Sequence, residues 1–294
     1  MIVTLENEYL TVQIETLGAE LRSIRDAEGC EYLWQGDPAF WADRAPILFP
    51  VIGRLHEKRW QNGDVSCPID IHGFASSSEF TVQEKRKDRV SMYLCASPES
   101  KRAYPFDFSL NVAYMLRKNS VQVSFAVYNP GNEALPFAIG GHPGFNVPLE
   151  SGRSFEDYIL EFPRACKPDR VGFSENILLN GRYDPFPLED GMRISLRHEI
   201  FDMDAIILKN VCKEVALRSS CGGKGIRVAF PDMPYLGIWH RPETNAPYVC
   251  IEPWSSLPGR DGVVEDLNCR SDFVHLAAGE TYHNVWSIDL LQEA

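Results

Sequence analysis

The chain has 294 residues, 44% of them hydrophobic, and a formal net charge of -12 from 29 basic and 41 acidic residues. That length and apolar content suffice for a large core. The acidic balance argues against nucleic acid and against an anionic membrane surface, since both are met by a basic face, and it leaves small molecules as natural ligands.

Met1 to Glu6 show neither the basic nor the apolar stretch of a secretory signal, and no segment approaches the ~18 apolar residues of a spanning helix, so a cytoplasmic protein is expected. No low-complexity tract, linker or repeat divides the chain. One β domain over residues 1–294 is expected, as a monomer or homodimer.

In chain order, residues 9–14 alternate apolar and polar, the pattern of a half-buried strand. Residues 38–43 read as a short helix. Residues 119–127 alternate again and end at Asn129-Pro130-Gly131-Asn132, a strong turn. Gly222-Gly223-Lys224-Gly225 joins Glu214–Ser219 to residues 226–230 as a hairpin. Long segments of helical period are missing, and 20 prolines with 21 glycines suit many short strands. The expected fold class is all-β, a large antiparallel two-sheet sandwich. The eight cysteines are scattered with no C-x-x-C pair, which predicts free, mostly buried thiols and no clustered metal ligands.

Five segments could carry chemistry. In Tyr248-Val249-Cys250-Ile251-Glu252-Pro253-Trp254 a single carboxylate interrupts an apolar strand. Alternation puts Tyr248, Cys250 and Glu252 on one face and Val249, Ile251 and Pro253 on the other. A buried carboxylate is costly unless paired, so Glu252 is either a structural ion pair or a working group. In Ile139-Gly140-Gly141-His142-Pro143-Gly144 a histidine leaves a strand end between glycines and a stiffening proline. His142 is a structural histidine or a functional one.

Arg54 follows the apolar run Phe49-Pro50-Val51-Ile52-Gly53 and offers a rigid fork of donors; its plain reading is a surface arginine opening a hairpin. His72 precedes Gly73-Phe74, and on its own is a loop histidine. Asp204 stands just before the apolar residues 205–208, with Asp202 as its close competitor and an ordinary turn aspartate as the plain reading. Trp239 and Trp254 offer faces on which a sugar ring stacks, though aromatic residues are normally core.

Together, Arg54 after Phe-Pro-Val-Ile-Gly, His72-Gly73-Phe74, Gly141-His142-Pro143-Gly144-Phe145-Asn146 and Cys250-Ile251-Glu252-Pro253-Trp254 resemble the aldose 1-epimerase (galactose mutarotase-like) family, especially its shorter bacterial branch. The resemblance runs from Leu17-Gly18-Ala19-Glu20-Leu21 to the final strands. It implies a galactose mutarotase-like supersandwich, Glu252 as general base and His142 as general acid. It further implies that Arg54, His72 and Asp204 hold sugar oxygens; Trp239, read above as a stacking face, is expected to bind substrate with them. Where better-known mutarotases continue after the histidine with a Tyr-Phe-Asn-Leu type of run, this chain has Pro-Gly-Phe-Asn, a departure that bears on sugar specificity rather than on the reaction.

The implied activity is interconversion of α and β anomers of a hexose by ring opening, with a small-molecule aldose as partner and no cofactor or metal. Breaking the bond from C1 to the ring oxygen needs one base and one acid, and Glu and His can both be tuned toward neutral pH. No P-loop, G-x-G-x-x-G or G-x-S-x-G motif offers another chemistry. Three alternatives stay open. Arg44, Arg54, Lys58 and Arg59 would serve a hexose-6-phosphate 1-epimerase. The fold could be kept as a carbohydrate-binding protein without turnover. Glu252 with Asp204 or Asp232 would serve a glycoside hydrolase.

Overall fold

The computed structural model describes residues 1–292. It is 47% strand and 7% helix, and its sheets are antiparallel throughout. The only α-helix among the described residues is Ser100–Ala103, and no helix there is long and apolar enough to cross a membrane.

Two large sheets carry the architecture. The nine-stranded sheet runs in the spatial order Arg193–Ser195, Tyr158–Glu161, Glu214–Ser219, Lys224–Ala229, Thr281–Gln292, Ser120–Tyr128, Ser109–Arg117, Arg89–Cys95 and Thr81–Lys85. Its centre follows the expected alternation. Ser120–Tyr128 buries Val121, Val123, Phe125 and Val127 and leaves the intervening residues half-buried. It pairs with Ser109–Arg117 on one side and Thr281–Gln292 on the other. The hairpin of Glu214–Ser219 and Lys224–Ala229 forms as expected, starting its second strand two residues earlier.

The eight-stranded sheet orders Leu179–Pro185, Asp169–Phe173, Ile206–Lys209, Tyr235–Trp239, Tyr248–Trp254, Gly140–Gly141 and Ile47–Leu48, with Gly144–Asn146 also paired to Tyr248–Trp254. Val123, Phe125 and Ile288 from the first sheet and Leu208, Ile238 and Ile251 from the second belong to one buried apolar cluster. A three-stranded sheet, Ile2–Glu6, Leu10–Glu15 and Glu20–Asp26, adds its inner face to the same cluster through Val12, Ile14 and Ile24.

Two expectations fail. Residues 38–43 form a turn, not a helix. The N–H groups of Phe40 and Trp41 reach the Asp37 carbonyl, and the Asp37 carboxylate accepts the Ala39 N–H. An aspartate closing its own turn competes with helix. Phe40 and Trp41 spend their apolar area on a small cluster with Trp34, Ala246, Tyr248, Cys250 and Trp239 instead. The cysteines are all free, but only Cys67, Cys212 and Cys250 are buried, while Cys95, Cys221 and Cys269 are exposed. The exposed three sit at a strand end, in a hairpin turn and in the 3-10 turn Leu267–Cys269, where backbone geometry rather than burial decides the position.

Candidate active site

Glu252 lies on Tyr248–Trp254, which is buried at every position and has a neighbour on each side. Its two faces divide as alternation requires: Val249 and Ile251 enter the main core, and Tyr248 and Cys250 enter the small aromatic cluster. The carboxylate faces a cleft of about 490 Å³. Opposite it in register is Gly237, where an added Cβ would come 3.1 Å from the Glu252 Cβ.

His142 leaves the strand Gly140–Gly141, which is bracketed by Ile47–Leu48 and the Glu252 strand. Gly141 lets the backbone settle against the Trp286 ring of the nine-stranded sheet; a Cβ there would stand 2.6 Å from the indole. The turn returns as Gly144–Asn146 along the Glu252 strand, so His142 is held between two short pieces of one sheet. Its Nε2 comes 3.2 Å from Glu252 Oε2. The approach is off the line of a hydrogen bond: Glu252 Oε2 and His142 Nδ1 are both buried without a hydrogen-bond partner. Glu252 is 1% exposed and His142 8%.

Burial disfavours charge on each group separately. It raises the Glu252 pKa well above the usual carboxylate range, helped by the nearby Asp204 carboxylate; the Trp254 indole pulls the other way although it makes no hydrogen bond of good geometry. It lowers His142 to about 4. Either ionic partner would stabilise the other at 3.2 Å. Between its acid and alkaline limits the pair therefore holds one proton, and the short separation lets that proton reside on either side.

The loop before His72 supplies a further donor. His72 has φ +63° and is followed by Gly73 at φ +78°, whose missing Cβ avoids a 2.2 Å collision with the Phe49 carbonyl. His72 Nδ1 accepts the Gly53 N–H, which leaves the ring proton on Nε2. Burial, His142 and the Arg54 charge keep this histidine well below its ordinary pKa, hence neutral. Its ring meets His142 edge-on, with centroids 5.4 Å apart.

Glu252, His142, Arg54, His72, Asp204 and Trp239 all line the one cleft. Arg54 is exposed at its margin. Asp204 has φ +70° and accepts the Ala205 N–H at 2.7 Å. Asp202 is not among the residues lining the cleft and accepts the Glu243 N–H, and Asp232 is exposed and outside the cleft. Trp254 also lines the cleft, buried, while Trp239 is half-buried.

Sequence reading missed three residues here. Trp41 packs 4.9 Å from His142 and edge-on to Trp239 at 5.5 Å. Its signal was hidden by the helical reading of residues 38–43. Asp43 lines the cleft with its pKa raised by burial and by Glu20. Cys250 completes a group with His142 and Glu252 whose ligand-type atoms lie within 4.8 Å of one another, so metal-type ligands do cluster in the fold where none were evident in the chain. Of the four basic residues considered for a phosphate, only Arg54 reaches the cleft. Arg44 donates to the Arg22 carbonyl and Gln35, Lys58 pairs with Asp70 at 3.6 Å, and Arg59 pairs with Glu57.

The chain is similar to known proteins in sequence and in fold. The aldose 1-epimerase family model matches residues 1–284. The plasmid form of protein LacX from Lactococcus lactis subsp. lactis is 39% identical over 267 residues, covering 87% of this chain and 88% of that protein. Among solved structures, a galactose mutarotase related enzyme from Lactobacillus acidophilus superposes with TM-score 0.94 at 31% identity, covering 99% and 98% of the two chains. A galactose mutarotase-like protein from Lactobacillus casei gives 0.92 at 32%, covering 99% and 100%. These likenesses support a carbohydrate epimerase, an isomerase with a small-molecule sugar as substrate. With a match from the first strand to the last, this chain belongs to the aldose 1-epimerase family.

Proposed function

We propose that the protein interconverts the α and β anomers of a free hexose, with Glu252 as general base and His142 as general acid. The observation that carries this reading is the buried 3.2 Å contact between the two groups at a sugar-sized cleft. With Glu252 ionised and His142 protonated, Glu252 takes the proton of the C1 hydroxyl while His142 gives one to the ring oxygen. The bond between C1 and the ring oxygen breaks, the aldehyde turns, and closure on its other face returns both protons. The state after opening is neutral Glu252 with neutral His142, which burial alone favours. The ring-closed state needs the ion pair, which polar sugar hydroxyls in the cleft help to stabilise.

His72, held neutral with its proton on Nε2, donates to a sugar oxygen. Arg54 donates a second bond, and Asp204 accepts from a hydroxyl through the oxygen not used by Ala205. Trp239 packs on the ring. Arg44, Lys58 and Arg59 lie outside the cleft, whose cations are Arg54 and Arg241, and a free hexose is taken as the substrate over its 6-phosphate.

Polarimetry of freshly dissolved α-glucose and α-galactose tests this directly. The protein should speed relaxation of the optical rotation, and do so more for the free sugars than for glucose 6-phosphate. Binding without acceleration would point to a carbohydrate-binding protein, and release of sugar from nitrophenyl glycosides to a hydrolase. His142→Asn should lower kcat more than it raises KM; a raised KM with unchanged kcat would make His142 a binding residue only.

A further inference from the structure

Anomer exchange uses two of the three buried polar groups that meet at the Glu252 strand and leaves Cys250 idle. Cys250 points to the same face as Glu252, two residues away, and is fully buried. An imidazole, a thiol and a carboxylate are together a donor set that suits zinc. Tetrahedral bonds of ~2.0–2.3 Å put ligand atoms roughly 3.2–3.8 Å apart. His142 Nε2 and Glu252 Oε2 already stand at 3.2 Å, and all three ligand atoms lie within 4.8 Å. Glu252 Oε2 is buried without a hydrogen-bond partner, so a bound cation would satisfy an orphaned acceptor. The cleft beside His142 and Glu252 leaves a fourth position for water.

We propose that His142, Cys250 and Glu252 form a three-ligand site for a thiophilic divalent cation, Zn²⁺ above all, and that filling it blocks the sugar chemistry. The ion and the sugar compete for the same imidazole and carboxylate. On binding, the Cys250 S–H proton and the one proton held by the His142–Glu252 pair both leave to solvent, and the freed sulfur, imidazole and carboxylate lone pairs form the metal bonds, so affinity climbs with pH. Inhibition rests on the acid–base reading above; binding does not.

Co²⁺ added to the whole protein is the direct probe. The expected result is a near-ultraviolet thiolate-to-cobalt band with the visible bands of a tetrahedral ion, saturating at one ion per chain. Cys250→Ala and His142→Asn, each checked for native circular dichroism, should both lose these bands, and Zn²⁺ should displace Co²⁺ from the wild type. Absence of the thiolate band in the wild type overturns the site. So does its survival in Cys250→Ala, which would place the ion on an exposed thiol such as Cys95, Cys221 or Cys269. In polarimetry, Zn²⁺ should slow the wild type several-fold and spare Cys250→Ala; equal slowing of both overturns the inhibitory role. A cobalt site with the expected ligands in a protein that exchanges no anomers upholds the site and refutes the functional reading instead.

Discussion

In the nine-stranded sheet, Ser109–Arg117 and Ser120–Tyr128 run nine residues each with every second side chain buried. In the eight-stranded sheet, Tyr248–Trp254 is buried at all seven positions, and Gly140–Gly141 beside it and Ile47–Leu48 beyond that are two residues long each. The first is a wall with one wet face. The second is covered on both faces at the Glu252 strand but exposed along Leu179–Pro185, is broken by glycine and proline, and holds a carboxylate where an apolar side chain would be more stable. Short strands and close backbone approach cost regularity, and they place His142 and Glu252 side by side. One sheet is built for stability, and the other gives some up to bury two ionisable groups side by side.

The comparison breaks if the two sheets respond alike to substitution. The largest effect should come from Glu252→Gln, which keeps the shape and removes the proposed base: the proposed anomer exchange should fall by ~10²–10⁴-fold with the fold intact. Near wild-type relaxation of optical rotation would remove Glu252 from the reaction. Phe125→Ala, in the centre of the other sheet, should do the reverse, costing ~3–5 kcal/mol in denaturant unfolding while the folded fraction keeps its kcat. A large loss of kcat without loss of stability there would undo the division of labour.

pH sharpens the contrast. Turnover should collapse on the acid side as pH falls toward about 4, where His142 accepts a second proton into the pair. A profile flat through that range would contradict the pairing. Stability has its own signature. A folded-state pKa raised above the ordinary carboxylate value means the folded protein binds the Glu252 proton more tightly than the unfolded chain does. Stability from this group is present below the ordinary value and is lost as pH rises through the raised one. Glu252→Gln should therefore melt higher than wild type at alkaline pH and close that gap near pH 4.5, the ordinary value; thermal melts across pH read it out. The smallest effect belongs to the wet face: Gln122→Lys, half-buried between Met115 and Ser287, should shift stability by no more than ~0.5 kcal/mol.

The same contrast explains what could be read from the chain. Period-two alternation over residues 119–127 announces its strand because one face stays wet. Gly140–Gly141 and Ile47–Leu48 are too short to have a period, so the sheet around the site is recovered only through the motifs that punctuate it. Glu252 and His142 stand out by being out of place, one in an apolar strand and one between glycines. Trp41 does not, because an aromatic in a turn looks like an aromatic in a helix until Asp37 is seen closing that turn. Cys250 is the harder case. A buried thiol is ordinary, and only the folded register of Gly144 against Cys250 brings the histidine turn beside it.

The packing of Gly141 on Trp286 gives the two layers a common gauge. The histidine takes its height from an indole on the opposite layer, whereas the carboxylate takes its own from the strand it sits on. Drift in residue size at Trp286, on a strand with no part in the reaction, would be transmitted as a misalignment of donor and acceptor. With His142 and Glu252 in the roles proposed for them, selection for catalysis would reach through both layers of the molecule and constrain Trp286, a side chain outside the cleft.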